Sequence, residues 1–338
     1  MMNTPICLAV DIGGTKIALG LYNVGGEVLG EVTNLPVPFD PQGRADPDRL
    51  VAIIRSHADL ARAHGLNPSA LGLSICGNVD MNNGNCLLIP NLHWRDVPFG
   101  RMTSEATGLP MFAATDTRQA ALAEHVWGKA RGASHFCWCT VGTGYGGYLY
   151  LDGKPFDGYH GVAGPFGHNT IDEINGYPCG CGRRGCVETY VAGPAIARAG
   201  QAALEAGDSP ILAELSSQGT VTTPMVVQAY QQNDPAAIRI IDNVARMIAI
   251  SLGSVNNLLD LEMFILGGGV VHALPELVAL VDSKIRHYLM SEEARRDLRI
   301  MKETFPNASL SGAAAHAFVH TGLLSDETQH HLVIKETT

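Results

Sequence analysis

At 338 residues the chain exceeds the size at which one hydrophobic core ordinarily divides, so two domains are expected. Hydrophobic residues make up 46% and charged residues 17%, with 38 glycines, which fits a compact globular enzyme and excludes a disordered polar chain. A net charge of −10 without any Lys/Arg block argues against nucleic acid as a partner.

The first apolar stretch is short, lacks a basic leader and ends in Asp11, so it reads as a core strand and not as a signal peptide. No apolar run approaches the ~20 residues of a membrane helix. Cys7, Cys76, Cys86, Cys137 and Cys139 are scattered through apolar segments, as packing residues in a reducing cytoplasm would be. Strands are expected over 6–12 and 17–22, joined by a glycine turn; a turn at Gly25 and Gly26 then leads into a third strand over 27–35, an antiparallel meander. Pro47 opens a helix whose Leu50, Ile53, Ile54, Leu60 and Ala61 share one face. Short buried strands follow at 71–75 and 111–115, then a helix over 117–129.

The plan repeats from Phe136: a strand over 137–141, a glycine turn over 142–147, a strand over 148–151, and a turn at Asp152 and Gly153. Two related halves are therefore expected, with the two glycine turns facing each other across a cleft. A long amphipathic helix spans 236–259, followed by a strand over 262–266, a helix from about Leu274 and another from Gly312. The Ala/Gly/Ser-rich stretch 201–224 reads as peripheral, and the polar tail after Leu324 is expected to fray.

Three glycine-rich turns each follow an apolar strand: Asp11-Ile-Gly13-Gly14-Thr15-Lys16, Gly142-Thr143-Gly144-Tyr-Gly-Gly147, and Leu266-Gly267-Gly268-Gly269-Val270. Glycine admits close backbone approach, and successive N–H groups cradle an anion; Thr15, Lys16 and Thr143 add donors. None fits the P-loop or dinucleotide patterns. Taken together they point to a nucleotide site, although each alone is also an ordinary hairpin. Asp116 ends a strand and precedes a helix, which suits either a general base toward a hydroxyl or, with Gln119, a helix cap.

The most specific pattern is His168, Cys179, Cys181 and Cys186. Three thiolates and one imidazole complete a tetrahedral zinc shell, with glycines 180, 182 and 185 letting the loop close. Four protein ligands leave no open position, so a structural Zn2+ is expected. Glu188, two residues on, suits hydroxyl recognition or a helix's first turn. Asn91 and His93 could line the same pocket or be ordinary loop residues.

Together these stretches resemble the ROK family over about 6–318. The segment 11–16 is similar to its first phosphate loop, 90–94 to its substrate loop, 142–147 to its second phosphate loop, and 266–270 to its nucleotide-side glycine turn. Gly167 and His168 with the stretch 179–188 are similar to its most diagnostic signature. The resemblance implies an α/β, actin/hexokinase-like (ribonuclease H-like) two-domain fold with a central cleft. The domains would be 1–117 plus 311–338 and 118–310. It implies ATP-dependent phosphorylation of a sugar hydroxyl with Mg2+, Asp116 as base, and Asp11 positioning the Mg2+. Asn78, Asn91, Asp116, His168 and Glu188 would contact the sugar, and a homodimer or homotetramer is implied. Four positions depart from the family: Pro165 replaces its sugar-binding Glu, Thr115 and Arg118 replace Asn just before and two residues after Asp116, and Asn78 stands where Pro or a small residue is commoner. An atypical acceptor is therefore expected. The rival readings are a sugar-sensing regulator, for which the ten residues before Asp11 are too few to form a helix-turn-helix, and a degenerate sugar binder.

Overall fold

The computed structural model describes residues 5–216 and 219–324. Its contacts gather into two compact units, one running up to Gly132 and resuming at Thr304, the other spanning Ala133–Glu303.

In chain order unit 1 carries β1 (Ile6–Ile12), β2 (Lys16–Asn23), β3 (Thr33–Pro36), α1 (Pro47–Ala63), β4 (Pro68–Ile75), β5 (Asn78–Asp80), β6 (Asn85–Ile89), β7 (Trp94–Val97), α2 (Phe99–Thr107), β8 (Met111–Thr115) and α3 (Asp116–Val126). A closing helix, Ala308–His320, returns to it. The main sheet has the order β3-β2-β1-β4-β8, antiparallel at its β3-β2-β1 end and parallel from β1 through β4 to β8. β1 reads as a continuous apolar run because both of its faces are covered. Leu8, Val10 and Ile12 pack with Leu50, Ile54 and Ala58 of α1, while Cys7 and Ala9 pack with Leu310, Ala313 and Phe318 of the closing helix. That second face is built from small residues, so backbones approach closely. A Cβ on Gly72 would lie 1.9 Å from the Ala313 carbonyl oxygen, and one on Gly312 would lie 1.7 Å from that of Gln119.

This packing explains why the unit boundaries differ from the expected 117/118 and 310/311: α3 and the start of the closing helix pack in the first core and stay with it. The expected strand over 27–35 is shorter, because Gly30 takes φ +91° and only a Tyr22–Val28 bridge precedes β3. The three-stranded sheet β5-β6-β7 was not foreseen; Trp94 pins it by donating from its indole N–H to the Ala45 carbonyl at 2.7 Å.

Unit 2 carries β9 (Phe136–Val141), β10 (Tyr145–Leu151), β11 (Lys154–Phe156), α4 (Glu188–Val191), α5 (Gly193–Glu205), α6 (Pro210–Leu215), α7 (Thr223–Gln231), α8 (Pro235–Leu259), β12 (Met263–Gly267), α9 (Gly269–Ala273), α10 (Leu277–Ile285), α11 (Glu292–Asp297) and β13 (Arg299–Lys302); the closing helix is then α12. Its sheet, β11-β10-β9-β12-β13, repeats the strand order and the strand directions of the first, as the repeated layout of the sequence led one to expect. α8 starts where the Asp234 side chain accepts from the Ala237 N–H and Pro235 takes the first turn; it ends at Asp260 in the left-handed region. The stretch 201–224 is not simply peripheral: Leu212 and Val221 are buried in this unit's core. The tail after Leu324 lies outside the described residues. Among the described residues no helix is long and apolar enough to cross a membrane.

Candidate active site

In unit 1 the glycine turn joins the last strand pair, Ile12 and Ile17, and the Gly13 N–H closes it on the Lys16 carbonyl at 2.9 Å. A Cβ on Gly14 would come within 3.1 Å of the Asn91 Cβ, so Asn91 sits directly against the turn. Thr15 and Lys16 are exposed. Asp11, one residue before the turn, accepts from the Ser74 hydroxyl at 2.6 Å and the Ser309 hydroxyl at 3.0 Å. Burial pushes its carboxyl above the usual range, against the pull of both hydroxyls and of Lys16.

Asp116 follows β8 and occupies the first position of α3, with Thr115 as N-cap. It is therefore inside the helix rather than capping it, and Gln119 closes no capping box: its amide nitrogen reaches the Leu73 carbonyl at 3.1 Å. One Asp116 oxygen accepts the Thr117 N–H at 2.9 Å. Burial, and then the charge of Asp11, push its pKa up to about 6. The charge of Asp116, then burial and the charge of Asp11, push the Cys76 thiol up to about 12, which places Cys76, Asp11 and Asp116 in one electrostatic neighbourhood. Asn78 is exposed at the start of β5, with no hydrogen bond to this cluster.

In unit 2 the second glycine turn is shorter than expected. Tyr145 already pairs with Val141 and Gly146 with Thr140, so only Gly142, Thr143 and Gly144 form the bend. Gly142 accepts from the Gly193 N–H at 2.7 Å. The third turn abuts the second: a Cβ on Gly142 would lie 3.6 Å from the Gly269 nitrogen, and one on Gly268, which takes φ +92°, only 2.7 Å from the Thr140 hydroxyl. Here only glycine serves.

His168, Cys179, Cys181 and Cys186 converge, each offering a ligand atom within 4.8 Å of the others. The loop closes through the Cys179 N–H to the Arg183 carbonyl at 2.8 Å and the Gly182 N–H to the Cys179 carbonyl at 3.0 Å. His168 directs Nδ1 at the cluster, 3.5 Å from the Cys179 sulfur. The donor set and its convergence fit a tetrahedral metal such as zinc. All eight cysteines are free. Glu188 links this loop to the second glycine turn: one oxygen accepts the Tyr145 N–H at 3.0 Å, and the other is 3.7 Å from the Cys179 sulfur. Pro165 is exposed and N-caps the short 3₁₀ turn that carries His168.

Sequence reasoning did not single out Ser74, Ser309, Cys76 or Glu303. Ser309 meets Asp11 across 298 positions, and no local pattern signals that pairing.

A family model described as the ROK family matches residues 7–319. A glucokinase of Halalkalibacterium halodurans is 30% identical over 293 residues, covering 85% of this chain and 87% of that protein. An N-acetylmannosamine kinase of Citrobacter koseri is 30% identical over 314 residues, covering 91% and 97%. The crystal structure of a ROK family glucokinase from Streptomyces griseus, in complex with glucose and AMPPNP, superposes with a TM-score of 0.79 at 30% identity, covering 92% of this chain and 99% of that one.

Proposed function

Because the chain belongs to the ROK family, we propose that it transfers the terminal phosphoryl group of ATP to a hydroxyl of a hexose or amino-sugar, with Asp116 as general base. The chain is an ATP-dependent sugar kinase, in keeping with the kinases to which it is similar over most of its length. The observation that carries the assignment of residues is the state of Asp116: a carboxyl with pKa about 6 is ionised at neutral pH yet basic enough to take a proton.

In this reading Asp116 accepts the sugar hydroxyl's proton as the oxygen forms its bond to the terminal phosphorus, while the bridging bond breaks to leave ADP. Backbone N–H groups of Gly13, Gly14, Gly142, Gly144, Gly267, Gly268 and Gly269, with Thr15, Lys16 and Thr143, hold the phosphates, and most of the rate comes from that positioning. Asp11, oriented by Ser74 and Ser309, would hold Mg2+ directly or through water. The His168, Cys179, Cys181 and Cys186 set would hold a structural zinc, which supplies rigidity to the loop carrying His168 and the neighbouring Glu188. His168 would hold the metal through Nδ1 and, with Glu188, Asn78 and Asn91, would offer polar groups to sugar hydroxyls. Pro165, lacking the acceptor that the family's Glu provides, makes the acceptor atypical. Free cysteines suit a cytoplasmic setting, and a homodimer or homotetramer is the assembly expected in solution.

The decisive experiment measures ADP release with Mg·ATP across hexoses, N-acetylhexosamines, ketoses and polyols, with Asp116→Asn in parallel. Turnover of one or a few sugars that vanishes in the variant supports the reading. Sugar binding without turnover would favour a sensor, and full turnover by the variant would unseat Asp116.

A further inference from the structure

Glu303 is 7% exposed and lies directly under the third glycine turn. A buried carboxylate is costly unless its oxygens are engaged. Here the Gly268 N–H donates to Oε1 at 3.0 Å, and the His272 Nε2 lies 2.5 Å from the same oxygen. The backbone N–H of Glu303 donates to the Leu266 carbonyl at 2.9 Å. One residue thus grips the turn at the end of β12, at its left-handed glycine and, through His272, at α9. The glycines make the grip possible: a Cβ on Gly267 would stand 2.2 Å from Glu303 Oε2, and one on Gly268 would strike Thr140 and Val141 on the other side. The turn is clamped between the carboxylate and the end of β9, with Gly269 facing the second glycine turn.

We propose that Glu303, braced by His272, is the positioning residue that fixes the Gly268 and Gly269 backbone for a nucleotide's phosphates; this rests on the reading that the third glycine turn binds nucleotide. Glu303 itself touches no phosphate, since its charge would repel one, and it acts from beneath the backbone.

The test is calorimetric binding of Mg·ADP and AMPPNP to the full zinc-loaded chain, with melting temperature measured alongside. Glu303→Ala leaves the Gly268 N–H without its acceptor and weakens nucleotide binding by about tenfold. Glu303→Gln, whose amide oxygen can still accept that N–H, recovers binding to within about threefold, with melting unchanged; a residue that merely supports the fold would not be rescued in this selective way. His272→Gln, at a half-exposed position, weakens binding by about threefold and decides the matter should Glu303→Ala fail to fold. Nucleotide affinity unaltered in Glu303→Ala, or in His272→Gln where that variant decides, overturns the inference alone. Wild-type protein that binds neither nucleotide overturns the nucleotide reading, and the inference with it.

Discussion

In unit 1 the fifth strand, β8, ends at Thr115 and is followed by Asp116; in unit 2 the fifth strand, β13, ends at Lys302 and is followed by Glu303. The registers match as well, with Ile75 opposite Thr115 and Leu266 opposite Lys302. The repeated fold therefore delivers a carboxylate to the same station twice, and the neighbours decide its use. Beyond β4 stand Cys76 and Gly77, and Asp116 turns at once into α3, so it accepts only a local N–H and stays half-buried. At the end of β12 stand Gly267 and then Gly268, and Glu303 spends an oxygen on the turn and on His272. The first turns diverge in the same way. Asp11 and Lys16 flank the one in unit 1, whereas Thr140 and Gly144 hold the corresponding places in unit 2. Equivalent topology fixes where an acid sits, and the adjoining loop fixes whether it can accept a proton.

The sharpest break of this comparison is Asp116→Asn, expected to lower kcat by about a thousandfold while nucleotide binding persists. The wild-type acid limb should have its midpoint near pH 6, because the carboxylate is the active form and protonation removes it as pH falls. Asp11→Asn should move that limb to lower pH, since the Asp11 charge helps to hold the Asp116 pKa up. A limb that stays in place would mean that another group titrates.

Next in size is the proposed metal loop, a Cys/His cluster with no counterpart among the described residues of unit 1. Cys186→Ser should abolish stoichiometric zinc, read by elemental analysis, and cost about 4 kcal/mol in denaturant unfolding. Retention of full zinc would remove Cys186 from the ligand set. The packing contrast comes third: Gly312→Ala drives a methyl into the Gln119 carbonyl and should cost about 3 kcal/mol, whereas Gly269, whose Cβ would meet open space, should tolerate Ala within about 0.5 kcal/mol of folding stability. Equal effects at the two positions would contradict the close α3–α12 packing. The smallest effect is expected of Pro165→Glu, which restores an acceptor and should lower KM for hydroxyl-rich hexoses by about threefold. An unchanged KM would mean that the acceptor preference is set elsewhere.

Much of this was legible beforehand. The three glycine turns, the strands before them and the Cys/His loop were readable because each depends on residues a few positions apart. The sheet β5-β6-β7 was not, since its strands are short and interrupted by Asn82, Asn83, Asn85 and Asn91, which carry no clear alternation. Nor was Gln119's bond to Leu73, which the pattern of a capping box disguised. Glu303 carried no local signal at all, because Gly268 and His272, which it meets, lie more than thirty positions earlier, after β12 and on α9.

The sequence alone picked out the Cys/His set that converges and the places of the three glycine turns, since both are local patterns. Only the tertiary structure decided that Asp11 is held by Ser74 and Ser309, that α3 and α12 belong to the first unit, and that burial and the charge of Asp11 raise the Asp116 pKa to about 6. Burial and charge at a point are sums over everything folded around it, and in this chain those contributors come from segments as far apart as Asp11 and Ser309.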